Sequence, residues 1–178
     1  VYPIIELATA AALLFFLYRL DYQFNLPVLL QIIFIGVFVA IIFSDTIYFI
    51  IPDKIIIPAV ALVLLERIFS RMVELPNLLI TGLILGGIFA IIFIVSRGKW
   101  IGFGDVKLAA LIGLLFGYPL GFLVVLISVW SGALWGIGLM VLRRATMKTA
   151  LPFGVFLSII SLIFIIFQNE IQIFKIYF

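Results

Sequence analysis

Apolar residues run through this chain in long unbroken blocks, not in strict alternation, and each block is closed by a short polar break. Continuous runs of this length predict helices, because a half-buried strand would show a period of two. Seven such segments can be marked: about Pro3 to Tyr18, Pro27 to Phe43, Ile55 to Phe69, Leu78 to Val95, Asp105 to Phe116, Leu120 to Leu142 and Phe153 to Phe167. The breaks between them are "RLDYQFN", "SDTIYFIIPDK", "SRMVELPN", "SRGKWIGFG", "GYPLG" and "RRATMKTALP". No linker, internal repeat or low-complexity tract interrupts the series, so residues 1–178 are expected to form one membrane-embedded domain.

Composition turns these runs into membrane spans. The chain has 178 residues, of which 67% are hydrophobic and 11% charged. A soluble domain carries about 25% charged residues, so a chain this apolar has too little polar surface to face water. A bilayer core supplies no hydrogen-bonding partner to backbone groups, which restricts continuous apolar runs of this length to helices. The expected fold is therefore all-α, a polytopic membrane protein with about seven transmembrane helices. The first segment lacks a basic leader and a small-residue cleavage site, so it is not read as a signal peptide.

Charge then sets orientation and removes chemistries. The net charge is +3, and the basic residues are scattered between apolar runs, so no nucleic-acid surface is indicated. With strict alternation of spans, Lys54, Arg97, Lys99, Lys107, Arg143, Arg144 and Lys148 share one face, while Arg19, Arg67, Arg71 and Lys175 share the other. The richer face is expected in the cytoplasm. Its cations set topology and meet anionic lipid. The chain has no cysteine and no histidine, which removes disulfides, thiol catalysis and a Ser-His-Asp triad and leaves any metal to carboxylates alone.

The acids fall into two groups. Glu6, Asp21, Glu74 and Glu170 lie at segment ends where headgroups and water solvate them, and Glu66 with Arg67 can snorkel from the end of the third segment. Asp45 and Asp105 are embedded in apolar sequence beside Ser44 and Gly104, on the same expected face. A carboxylate in such a place is a functional candidate; the structural alternative is a pairing such as Asp105 with Lys107. Two acids brought to one site share a proton: the ionised one activates water while the protonated one polarises a carbonyl and assists the leaving amine. Gly102 and Gly104 let an extended peptide approach the backbone.

Four segments then carry a family resemblance. "GFGDVKL" resembles the G-x-G-D-x-K-[LM] motif of the type IV prepilin peptidases, and "SDTIYFIIPDKIIIP" is similar to that family's Asp followed by [IL]-P-[DN]. "LPFGVFL" resembles its P-F-G-P-F-L element with Val155 in place of the second proline, and "VYPIIELATA" resembles the segment that opens its membrane core. The resemblance implies an aspartic endopeptidase of the bacterial cytoplasmic membrane with Asp45 and Asp105 as its catalytic pair. Gly102, Gly104, Lys107, Pro52 and Asp53 would support the site or bind substrate, Asp53 as a helix-capping or loop-shaping acid that can also meet the leader. Prepilins and pseudopilins are the implied partners, beside the lipid bilayer. Bacterial members usually begin with a further span and a cytoplasmic part, often with paired C-x-x-C zinc ligands, associated with S-adenosylmethionine-dependent methylation. The chain opens where that part would end. No cofactor is therefore expected, and S-adenosylmethionine only if that part is present. Two other readings are a presenilin-like intramembrane protease, whose Y-D or F-D and P-A-L motifs this chain lacks, and a proton-coupled transporter, for which no internal repeat speaks.

Overall fold

A computed structural model describes residues 2–19, 26–69, 75–144, 149 and 151–167. Asp21, Glu74 and Glu170, and the basic residues Arg71, Lys148 and Lys175, lie outside the described residues. Among the described residues there are seven helices and no strand: α1 (Tyr2–Arg19), α2 (Leu26–Tyr48), α3 (Asp53–Phe69), α4 (Leu75–Ser96), α5 (Phe103–Phe116), α6 (Leu120–Val141) and α7 (Phe153–Ile166). They correspond one to one with the seven apolar segments. Val28–Tyr48, Leu75–Ser96 and Leu120–Val141 are long and apolar enough to cross a membrane, while Glu6–Tyr18 and Phe153–Ile166 are shorter apolar helices.

The surface bears out a membrane protein. Leu83, Ile91 and Ile94 on α4 and Trp130, Leu134 and Trp135 on α6 are exposed, although the same helices bury Leu85, Phe89 and Val124. Apolar residues thus point both inward and outward, which suits a bundle surrounded by hydrocarbon. Burial inside the bundle brings no gain over burial in lipid, so close backbone packing has to hold the helices together.

That packing is most extensive between α4 and α5. A Cβ placed on Gly113 would lie 2.6 Å from the Cα of Gly82, and one on Gly86 would lie 2.9 Å from the Cβ of Ala110. Gly82 and Gly86 therefore form a small-residue seam along α4 that receives the backbone of α5. At one end of this pair, Asn77 accepts a bond from the Tyr118 amide at 2.9 Å and donates one to its carbonyl at 3.1 Å, pinning the α5–α6 turn. At the other end α4 offers an aromatic shelf. Phe93 packs on Phe103 of α5 with centroids 5.5 Å apart, and Phe89 stacks on Phe153 of α7 at 5.9 Å.

One boundary differs from the sequence expectation in a way that bears on the site. The second apolar run was expected to end near Phe43, with Asp45 in the break that follows; α2 instead continues to Tyr48 and Asp45 belongs to the helix. The polar residues there do not break it, because Thr46 donates its hydroxyl to the Ile42 carbonyl one turn back, at 2.6 Å. The fifth helix likewise starts at Phe103, which places Asp105 at its third position.

Candidate active site

Four helix ends meet at one end of the bundle: the carboxyl end of α2 and the amino ends of α3, α5 and α7. Helix α2 stops because Phe49 takes a left-handed backbone conformation, φ 53°, with its amide still donating to the Asp45 carbonyl at 3.0 Å. A bulky residue in that region is strained, and such strain gathers at functional sites. Ser44 donates its hydroxyl to the Ile50 carbonyl at 2.8 Å and so folds the loop back on the helix. Pro52 stands immediately before α3, its carbonyl accepting bonds from the Ile55 and Ile56 amides at 3.0 and 3.2 Å. Asp53 follows in the first turn, where a negative charge meets the positive end of the helix dipole.

Helix α5 starts from Gly102, whose extended backbone serves as its N-cap. The Gly102 amide donates to Oδ2 of Asp105 at 3.0 Å, and the Gly102 carbonyl accepts the Asp105 amide at 3.1 Å. The third residue of the helix thus reaches back to its cap, as the acid of a capping box does. Helix α7 is capped from outside itself. The Val155 amide donates to Oδ2 of Asp45 at 3.1 Å. Val155 stands where the resembling motif has proline, a residue with no N–H to give. Each candidate catalytic carboxylate is therefore held by a first-turn or cap amide of a helix, near the positive end of a dipole.

Both carboxylates are buried. They line a single cavity of about 220 Å3 together with Phe49, Ile50, Ile51 and Gly104. This is the meeting that the sequence could only expect from the parity of spans. The glycines matter for close approach. A Cβ on Gly104 would lie 2.8 Å from Ile51, and one on Gly154 would lie 2.9 Å from Oδ2 of Asp45. Gly102 has more room, since an added Cβ there would stand 3.5 Å from Oδ2 of Asp105.

Lys107 does not pair with Asp105. It forms an ion pair with Asp53, across from α5 to α3, and its ammonium lies 4.9 Å from the centroid of the Phe103 ring. The pair ties the start of α3 to the start of α5 at the mouth of the site. At the far end of α3, Arg67 pairs with Glu66 at 2.9 Å. Sequence reasoning did not single out Ile51, Gly154 or the Val155 amide. Their only signal was the glycine of "LPFGVFL", which marks a close approach without saying to what. No group of three or more Asp or Glu residues that could hold a metal ion occurs among the described residues.

The sequence profile of the type IV leader peptidase family matches residues 32–137, a stretch that takes in Asp45, Pro52, Asp53, Gly102, Gly104, Asp105 and Lys107. Among curated proteins, the chain is similar to a prepilin leader peptidase/N-methyltransferase of Pseudomonas putida, 30% identical over 175 residues, covering 96% of this chain and 60% of that protein. It is also similar to the proteins of that name from Pseudomonas aeruginosa, 27% identical over 174 residues with 96% and 59% covered, and from Bacillus subtilis, 29% identical over 154 residues with 86% and 60% covered. The chain thus spans about 60% of the length of these relatives. No solved structure gives a significant match.

Proposed function

This chain belongs to the type IV leader peptidase family, and on that premise we propose that it is a membrane aspartic endopeptidase that removes the leader from type IV prepilins and pseudopilins. The observation that carries the reading is the shared cavity: two buried carboxylates from different helices line one space of about 220 Å3. That space suits a peptide unit and an attacking water, since a water molecule takes about 30 Å3 in the liquid.

One carboxylate, ionised, takes a proton from water as the oxygen attacks the scissile carbonyl. The other, protonated, hydrogen-bonds the carbonyl oxygen and stabilises the tetrahedral intermediate. A proton then passes to the leaving nitrogen as the C–N bond breaks, and no acyl-enzyme forms. Backbone amides hold Oδ2 of each acid, so the carboxylates keep their orientation through the cycle. Gly104 lines the cavity with backbone alone, and Ile51 fills the space that its side chain would take, so an extended substrate meets Ile51 there. Asp53 is engaged with Lys107, so a basic leader reaching it has to displace that ammonium.

Orientation follows the cations. Lys54, Lys107, Arg97, Lys99, Arg143 and Arg144 belong to the helix ends and loops at the same end of the bundle as the two acids. That end therefore faces the cytoplasm of the bacterial inner membrane, where a basic leader remains after its apolar helix inserts. Methyl transfer is not part of the proposal. A second cavity, of about 470 Å3, is lined by Leu134, Trp135, Leu139, Leu142 and Phe156 with Ser131 as its one hydroxyl. It offers no carboxylate for a ribose or a sulfonium, so the residues present there do not fit S-adenosylmethionine.

The test is cleavage of a prepilin by Asp45→Asn and Asp105→Asn, read by product mass after confirming that each variant inserts. Each substitution is expected to abolish cleavage, and the double variant to be no worse than either single one. More than a few per cent of wild-type turnover in either variant removes that residue from the pair.

A further inference from the structure

Three stretches far apart in sequence meet at one side chain. Ile51 is 7% exposed although its neighbours Phe49 and Ile50 are 56% and 61% exposed. On one side it faces Gly104, the residue before Asp105: an added Cβ there would stand 2.8 Å from Ile51 Cβ and 3.2 Å from Cγ1. On the other it faces Gly154, the residue before the Val155 amide that holds Asp45: an added Cβ there would stand 2.7 Å from Ile51 Cδ1. Ordinary carbon contacts are about 3.5–4.0 Å, so only a bare Cα on each side accommodates the side chain. Its backbone has little freedom to retreat. The left-handed turn at Phe49 and the Ser44 bond to Ile50 hold it from before. Pro52 follows and confines Ile51 itself to extended conformations.

We infer that Ile51 is a positioning residue, a wedge between the starts of α5 and α7 that fixes the spacing of Asp105 and Asp45. The inference rests on the reading of these two acids as the catalytic pair. Helix α5 carries Asp105 directly, and α7 carries the amide that orients Asp45, so a change in the wedge displaces one acid relative to the other. The side chain also lines the cavity between them, which gives it the reach to do so.

Cleavage kinetics of the whole chain in detergent test this, with thermal midpoints recorded for every variant. Ile51→Val keeps Cβ and both Cγ atoms against Gly104 but loses the Cδ1 that faces Gly154, and is expected to lose roughly tenfold in kcat, whereas Ile51→Ala loses both contacts and is expected to lose on the order of 100-fold in kcat with KM nearly unchanged. Gly104→Ala crowds the same contact from the other side and is expected to lose kcat as well. The double variant Gly104→Ala/Ile51→Ala is expected to exceed either single one, because the added methyl fills part of the vacated space. If Ile51→Ala does not fold, Ile51→Leu, which moves the branch away from Cβ, is expected to lose roughly tenfold in kcat. A folded Ile51→Ala, or failing that Ile51→Leu, with wild-type kcat overturns the inference. So does an effect confined to KM, or a double variant no better than its worse parent. Activity remaining in Asp45→Asn or Asp105→Asn instead sinks the catalytic pair, so the two failures are told apart.

Discussion

Replacing Gly113 by alanine adds one methyl group where α4 and α5 cross, and the structure states what it would meet. The new Cβ would lie 2.6 Å from the Cα of Gly82, 2.7 Å from its nitrogen and 2.7 Å from the Thr81 carbonyl oxygen. All three are backbone atoms of a continuous helix, so no rotamer change can relieve them. Carbon contacts sit at about 3.5–4.0 Å, so the helices must part by roughly 1 Å. Overpacking of side chains typically costs about 1–3 kcal/mol. Backbone against backbone belongs at the upper end of that range, and the gain of about 1 kcal/mol from removing a helical glycine offsets part of it. A net loss of about 2 kcal/mol is expected. Prepilin cleavage should fall too, since Asp105 lies about two turns away on the same helix. The control is Gly87→Ala on α4, where an added Cβ has nothing within 4 Å. It keeps the propensity gain of up to about 1 kcal/mol and has no clash to set against it. Thermal midpoints in one detergent compare the two. A Gly113→Ala midpoint equal to or above that of Gly87→Ala refutes the close crossing.

Three further outcomes are expected. The Lys107–Asp53 pair is partly exposed, so a double-mutant cycle with Lys107→Met and Asp53→Asn should give a coupling of about 0.2–1 kcal/mol that shrinks as salt is added; a larger, salt-independent value would mean that the pair is desolvated. Asn77→Ala removes both bonds to Tyr118 and should lower stability by about 2 kcal/mol. Its kcat for cleavage should not change, because Asn77 stands at the opposite end of the bundle from the acids. Incubation of this chain with a prepilin and labelled S-adenosylmethionine should yield a mature product of unchanged mass, and a gain of one methyl group would locate a transferase site within this chain.

The helices were legible because apolar run length is a one-dimensional property: each segment from Pro3 to Phe167 maps onto one helix, with ends off by up to five residues. The largest error, at Asp45, came from counting polar residues as a helix break when Thr46 satisfies its hydroxyl within α2. The candidate acids were legible for a related reason. A carboxylate inside an apolar run is conspicuous in the sequence whatever it later touches, and "GFGD" and "IPD" belong to the set of four motifs that carries the family resemblance. Sequence also placed both acids on one face, by parity of spans. It could not say that they line the same cavity, that Lys107 turns to Asp53 and not to Asp105, or that the amide holding Asp45 comes from Val155 on α7. Nor could it single out Ile51, which reads as one isoleucine among many. Those facts depend on which helix ends are neighbours and how closely their backbones approach. Spacing along the chain fixes neither, because both depend on contacts between residues far apart in sequence, such as Gly113 against Gly82 and Ile51 against Gly104 and Gly154.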